Sequence, residues 1–127
     1  MTQLPGLYLR PSPRSGRGVF TSVSIPAGSV VELAPVIVLS AAADRHRIHA
    51  TLLHDYYFSW EEGAAIALGF GSLYNHSPQP NLDFELDYDF EQIRFTARHA
   101  IASGQELLID YLAGDERGEL WFALKDS

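Results

Sequence analysis

The clearest periodicity in the chain lies at residues 83 to 91, Asp-Phe-Glu-Leu-Asp-Tyr-Asp-Phe-Glu, where acidic side chains alternate strictly with apolar or aromatic ones. A period of two is that of a strand, with Phe84, Leu86, Tyr88 and Phe90 on one face and Asp83, Glu85, Asp87, Asp89 and Glu91 on the other. A tight turn can interrupt it near Tyr88-Asp89. Gln92 to Ala97 continues in the same rhythm. Upstream, the Pro-, Ser- and Gly-rich stretch from Pro11 to Gly18 reads as loop and leads into a short strand at Val19-Phe20-Thr21. Ile25-Pro26-Ala27-Gly28 is a turn signal. Val30 to Leu39 is mostly apolar and β-branched, which predicts one or two strands broken near Pro35. The pattern changes from Ser40 to Leu53, where Asp44 can cap a short helix with Ile48, Leu52 and Leu53 inward. An aromatic cluster from Tyr56 to Trp60 follows and reads mostly as core. Glu61-Glu62 turns the chain into Ala64 to Leu68, and Ser103-Gly104 turns it into a last strand, Glu106 to Tyr111. Gly114 to Gly118 is a polar loop. The apolar cluster Leu120 to Leu124 beyond it is expected to dock on the body. Many short strands with one or two small helices predict a mainly β fold.

At 127 residues and 14.1 kDa the chain is expected to be one domain, 1–127, and to bury roughly two thirds of its unfolded surface. The 46% apolar content, with no apolar run near membrane-spanning length, predicts a soluble globule with no membrane association. Residues 1–6 show no basic segment followed by an apolar one, so no secretory signal is read, and the default location is cytoplasmic. The absence of cysteine removes disulfides and cysteine-ligated zinc. His46, His49 and His54 lack a recognisable ligand spacing, so no metal site is expected and the three are read as solvent-exposed. A net charge of −7 argues against direct nucleic-acid binding and for a basic protein partner. In that light the acidic row at 83–91 is either a solvated face or a docking strip for a basic peptide.

Taken singly, the motifs that carry chemistry are ambiguous. Gly16-Arg17-Gly18 is a tight turn or a place where backbone approaches a ligand. Asn75-His76-Ser77 does not make a serine and its base, because neighbouring side chains on extended backbone point to opposite faces. Glu106 and Asp110 lack a partner site that would make them glycosidase carboxylates. In order, however, Gly16-Arg17-Gly18-Val19-Phe20, Asn75-His76-Ser77 with Pro80-Asn81, and Glu106-Leu107 with Asp110-Tyr111 resemble the signature of the SET-domain protein-lysine methyltransferases. Ile25-Pro26-Ala27-Gly28 and the run Ala100 to Glu106 are similar to two recurring turns of that family. The resemblance covers about residues 7 to 112.

The resemblance implies small curved β-sheets with a C-terminal pseudoknot that brings Asn75-His76 beside Tyr111. It implies S-adenosylmethionine on one face and a substrate lysine entering from the other through a narrow channel. Tyr111 would be the catalytic tyrosine. Gly16, Arg17, Gly18, Asn75 and His76 would bind the cofactor, and Tyr56, Phe84 and Ile109 would line the channel. Methyl transfer needs a neutral amine, and lowering a lysine from pKa about 10.4 to neutral pH costs about 4 kcal/mol. A dry channel and a nearby positive sulfonium both act in that direction.

The family's pre- and post-SET cysteine clusters are absent, as in the minimal, stand-alone SET proteins of bacteria and viruses. Residues 113–127, through Trp121 and Phe122, would then pack over the cofactor or channel wall, or serve as a plain hydrophobic plug. Relatives often carry an aromatic residue where Ile109 stands, which leaves the number of methyl groups open. Two other readings remain: a SET-like module that binds cofactor or a basic peptide without turnover, and a structural protein. A stand-alone domain of this kind is also a candidate homodimer.

Overall fold

In a computed structural model, residues 2–14 and 16–114 are described. The strands are β1 (Thr2–Gln3), β2 (Leu7–Pro11), β3 (Arg17–Thr21), β4 (Val30–Leu39), β5 (Tyr57–Trp60), β6 (Gly63–Ala67), β7 (Asn75–His76), β8 (Leu82–Asp87), β9 (Gln92–Ala97) and β10 (Glu106–Ile109). One helix, α1 (Ala42–His49), and 3-10 turns at Leu52–Asp55 and Tyr111–Gly114 complete the described elements. The larger sheet runs β5-β6-β4-β9-β8 with β1 on the free side of β4, and the smaller runs β2-β3-β10-β7.

β4 does not break at Pro35 but changes partners there. Val30 to Pro35 pair with β9, and Val36 to Leu39 pair with β6. Proline removes one ladder donor, and the exchange of neighbours happens where that donor is missing. The Val36 amide is recovered by the Glu91 carbonyl at 3.0 Å. The predicted turns at Gly28 and Gly104 both have positive φ, +83° and +89°. Ile25 and Ile101, beside those turns, bridge to each other.

The core lies between the sheets and is filled by Val19, Val31, Tyr74, Leu82, Ile93, Phe95, Ile101, Leu107 and Ile109 among others. A smaller cluster of Ile48, Tyr57 and Ala64 seats α1 on β6. Arg45 of α1 fastens that end by donating from Nε to the Gly63 carbonyl at 2.7 Å.

Four expectations need correction. Asp44 does not cap the helix; it sits in the first turn and pairs with Arg47 at 2.8 Å, and Ala41 caps with no side-chain bond. Only Ile48 of the predicted inner face is buried, since Leu52 is 86% and Leu53 45% exposed on the turn that follows. The alternation at 83–91 holds through Leu86, and the turn expected near Tyr88-Asp89 then ends it. The chain reverses after Asp87, which leaves Phe90 76% exposed, because a turn does not keep a strand's two faces. Of the three histidines read as solvent-exposed, only His46 is; His49, 6.3 Å from the Tyr57 ring, and His54 are half-buried. Among the described residues no cluster of potential ligands could hold a metal ion, and no helix is long and apolar enough to cross a membrane.

Candidate active site

Two halves of the chain meet on β10. Glu106 and Leu107 pair antiparallel with Phe20 and Val19, while Leu108 and Ile109 pair in parallel with Asn75 and His76. A parallel pair needs a long crossover, which the β8–β9 hairpin supplies. Residues 77–81 then lie along the same strand. The Ser77 amide donates to the Ile109 carbonyl at 2.9 Å. Asn81 donates from Nδ2 to the Glu106 carbonyl and accepts the Leu108 amide at Oδ1, each at 2.8 Å. Beside two prolines that have no N–H to give, one side-chain amide supplies both a donor and an acceptor to β10.

Asn75 joins this crossing to β3. Its Nδ2 donates to the Arg17 carbonyl at 3.1 Å and to Glu106 Oε2 at 2.8 Å, while Ser12 Oγ donates to Glu106 Oε1 at 2.9 Å. A Cβ on Gly18 would lie 2.0 Å from Glu106 Oε2 and 3.1 Å from Asn75 Nδ2. The glycine is therefore demanded by the chain's own packing. Gly16 is different: it has φ of +51° and open space where a side chain would be, while its carbonyl accepts the Ser12 amide at 2.8 Å.

Tyr111 is held at both ends by the residues that flank Asn75. His76, 6% exposed, accepts the Tyr111 amide at Nδ1 at 3.0 Å, and the two rings lie 5.0 Å apart. An amide can only donate, so that nitrogen bears no proton and the neutral ring carries it on Nε2. Asp110 Oδ1 lies 3.8 Å from the same nitrogen, beyond hydrogen-bond reach, and accepts the Leu112 amide at 3.0 Å instead. At the other end, the Tyr111 hydroxyl donates to the Tyr74 carbonyl at 3.2 Å. The His76 carbonyl accepts from Arg14 Nη1 at 3.3 Å.

Arg17, Gly18, Asn75, His76 and Tyr111 are thus brought together, with Gly16 at the open edge. The side-chain donors of Asn75 and the Nδ1 of His76 are engaged inside the protein. Ile109 is 1% exposed and belongs to the core. Phe84 is half-buried against Phe58, at 5.3 Å, and Phe95, at 6.2 Å. Tyr56 ends the first 3-10 turn, two residues before Phe58. Trp121 lies outside the described residues.

The sequence reading gave no role to Glu106, Ser12, Arg14 or Tyr74, and quoted Asn81 without one. Their positions in the motifs were the available signal: Glu106 opens the last strand and Tyr74 directly precedes Asn75. Along β8 and β9, Asp83 accepts from Arg98 Nε at 2.9 Å, and Glu85 lies 4.0 Å from Arg94. These two acids have cations beside them.

The family profile of the SET domain matches residues 16–112, the span that contains every residue of this constellation except Ser12 and Arg14. The chain belongs to the SET-domain family. A fission-yeast relative (Schizosaccharomyces pombe), named histone-lysine N-methyltransferase, H3 lysine-37 specific, is 36% identical over 117 residues. The match takes in 91% of this chain and 76% of that SET protein. The fold is also similar to a crystal structure from Plasmodium falciparum, of a protein classed among candidate histone methyltransferases. That comparison has a TM-score of 0.65 at 24% identity and covers 87% of this chain and 95% of the other. It adds support for the SET fold alone.

Proposed function

We infer that this SET-domain chain is a protein-lysine N-methyltransferase, the class of its 36%-identical relative, and we propose that it draws the methyl group from S-adenosylmethionine. The observation that carries the reading is the double anchoring of Tyr111, through amide and hydroxyl, by the residues on either side of Asn75.

The residues around β10 suit such a donor. Gly16 leaves open space beside the site, and the His76 carbonyl is an acceptor in the same region, reached there by Arg14. Glu106 accepts from the neutral groups of Ser12 and Asn75, so its charge is available to a cation. When bound, S-adenosylmethionine supplies an electrophilic methyl group on a positively charged sulfur. Gly16 to Gly18, Asn75 and His76 would hold it.

Tyr111 would touch the reacting amine. Its hydroxyl, anchored on the Tyr74 carbonyl, would align the neutral lysine amine with the methyl group. Fixing that oxygen in advance lowers the entropic part of the barrier, where a good geometry is worth several kcal/mol. No side chain need remove the proton if the channel is dry, because desolvation alone disfavours a charged lysine. Phe84, packed with Phe58 and Phe95, and Tyr56, two residues before Phe58, are the proposed apolar walls. The net charge of −7 favours a basic protein acceptor, and an intracellular location goes with the proposed donor.

Isothermal titration with S-adenosylmethionine and its demethylated product tests the reading. Micromolar binding that is lost in a folded Asn75→Ala variant is the expected result. Absence of binding to the wild-type protein would contradict it.

A further inference from the structure

Glu32 is the one charged residue in the apolar run of β4, and its side chain is fully buried. A carboxylate in a core is costly unless its oxygens are satisfied, and here they are. Oε2 accepts the Phe70 amide and Gln3 Nε2, each at 3.0 Å, and Oε1 accepts the Tyr74 hydroxyl at 2.6 Å. All three donors are neutral. Bonds from a phenol to a carboxylate are short and strong because the acceptor is charged. Burial first, and then the Glu32 charge and hydrogen bond, push the Tyr74 phenol well above its ordinary pKa, so it remains a donor. The Tyr74 ring, 1% exposed, is pinned from the side by Phe95 at 4.7 Å.

We propose that Glu32 is a positioning residue for methyl transfer: it fixes Tyr74, whose backbone carbonyl in turn orients the Tyr111 hydroxyl. The chain of contacts is short and continuous. Glu32 holds the Tyr74 side chain at one end, the Tyr74 carbonyl receives the Tyr111 hydroxyl at 3.2 Å, and the next residue but one, His76, holds the Tyr111 amide. Through the Phe70 amide the same carboxylate also ties down the turn that delivers residues 72–76 to β10. A core needing only volume at this place could use a leucine. A buried carboxylate that meets a tyrosine end-on specifies an orientation, which is what an aligned phenol oxygen requires. Glu32 touches neither substrate nor cofactor in this scheme and acts only through Tyr74.

The proposal rests on the role given to Tyr111, and its test separates the two. Tritiated S-adenosylmethionine with purified core histones as acceptor serves as the assay, and the variants are Glu32→Gln, Tyr74→Phe and Tyr111→Phe, each checked for folding by thermal melting. Tyr74→Phe keeps the ring on Phe95 and covers the case in which Glu32→Gln does not fold. Both positioning variants are expected to lower kcat roughly ten- to hundred-fold, with the acceptor KM and the cofactor Kd within about twofold of wild type. In a Tyr111→Phe background, Tyr74→Phe should cost no more than about twofold further, since its route to the reaction is already cut. In protein labelled with 13C at the tyrosine ring, the Tyr111 resonance should move in both variants without any substrate present. Unchanged kcat and an unmoved Tyr111 resonance in folded Tyr74→Phe would overturn the proposal alone. So would a loss fully additive with Tyr111→Phe. Wild-type turnover by the single variant Tyr111→Phe would instead remove the tyrosine's role, and the positioning scheme with it.

Discussion

Where β7, β10 and residues 77–81 meet, the polar side chains are buried and bond to backbone, whereas along the β8–β9 hairpin the acids stand in solvent opposite arginines. Asn75, His76 and Asn81 are each 9% exposed or less. Each of them does a job that a strand's own amides would otherwise do, or holds a residue of the site. Asp83 and Glu85, by contrast, are at least half exposed, at 54% and 76% of their side chains. An exposed ion pair contributes little because water and salt screen it, while a buried group that loses its partner bears the full desolvation cost. The difference teaches that the count of charges in a stretch says less about its importance than the number of backbone groups its side chains satisfy.

That contrast can be broken from either side. Asn81→Ala removes both side-chain bonds to β10 at once and is expected to cost about 2–4 kcal/mol, read from the urea midpoint. Gly18→Ala should cost about 1–3 kcal/mol, since the Glu106 carboxylate can swing aside only by leaving Asn75 and Ser12. A Gly18→Ala protein as stable as wild type would mean that this polar cluster is looser than its distances indicate. Arg94→Ala and Glu85→Gln on the hairpin should each stay within about 0.5 kcal/mol of wild type. If the strip docks a basic acceptor, Glu85→Gln raises its KM in low salt but not in high salt.

The smallest effect is expected at Asp87. Its carboxyl lies below the usual range because it accepts from Gln92 and then from the Phe90 amide at the hairpin turn. A depressed pKa adds stability above the unfolded-state value and loses it as pH falls through the folded value. Asp87→Asn should therefore lower Tm slightly at neutral pH and not at all in acid, and an equal change at both would contradict that origin.

Much of this was legible in the sequence, and the exceptions have physical causes. The strands around 19–21, 82–87, 92–97 and 106–109 and the turns at Gly28 and Gly104 announce themselves through period and glycine. Arg17, Gly18, Asn75, His76 and Tyr111 were drawn together by the order of their motifs. Glu32, Tyr74 and Asn81 could not be assigned in this way. Their importance lies in which distant group, side chain or backbone, each reaches across 25 to 42 positions of sequence, and no local pattern encodes that. Nor does the acidic row show in sequence that the hairpin places Arg98 beside Asp83 and Arg94 4.0 Å from Glu85. The sequence reading also placed Leu52 and Leu53 inward on a helix that ends at His49, because helical spacing was extended past the residue where the chain turns.

The most direct test of the assembly at β10 as a methyltransferase site compares wild type with Tyr111→Phe, using tritiated S-adenosylmethionine and core histones, after matching the two proteins in Tm and in cofactor affinity. The expected result is a fall in kcat of roughly a hundredfold with binding retained. Turnover at the wild-type rate would contradict the role of Tyr111 and leave a SET fold without the chemistry assigned to it here.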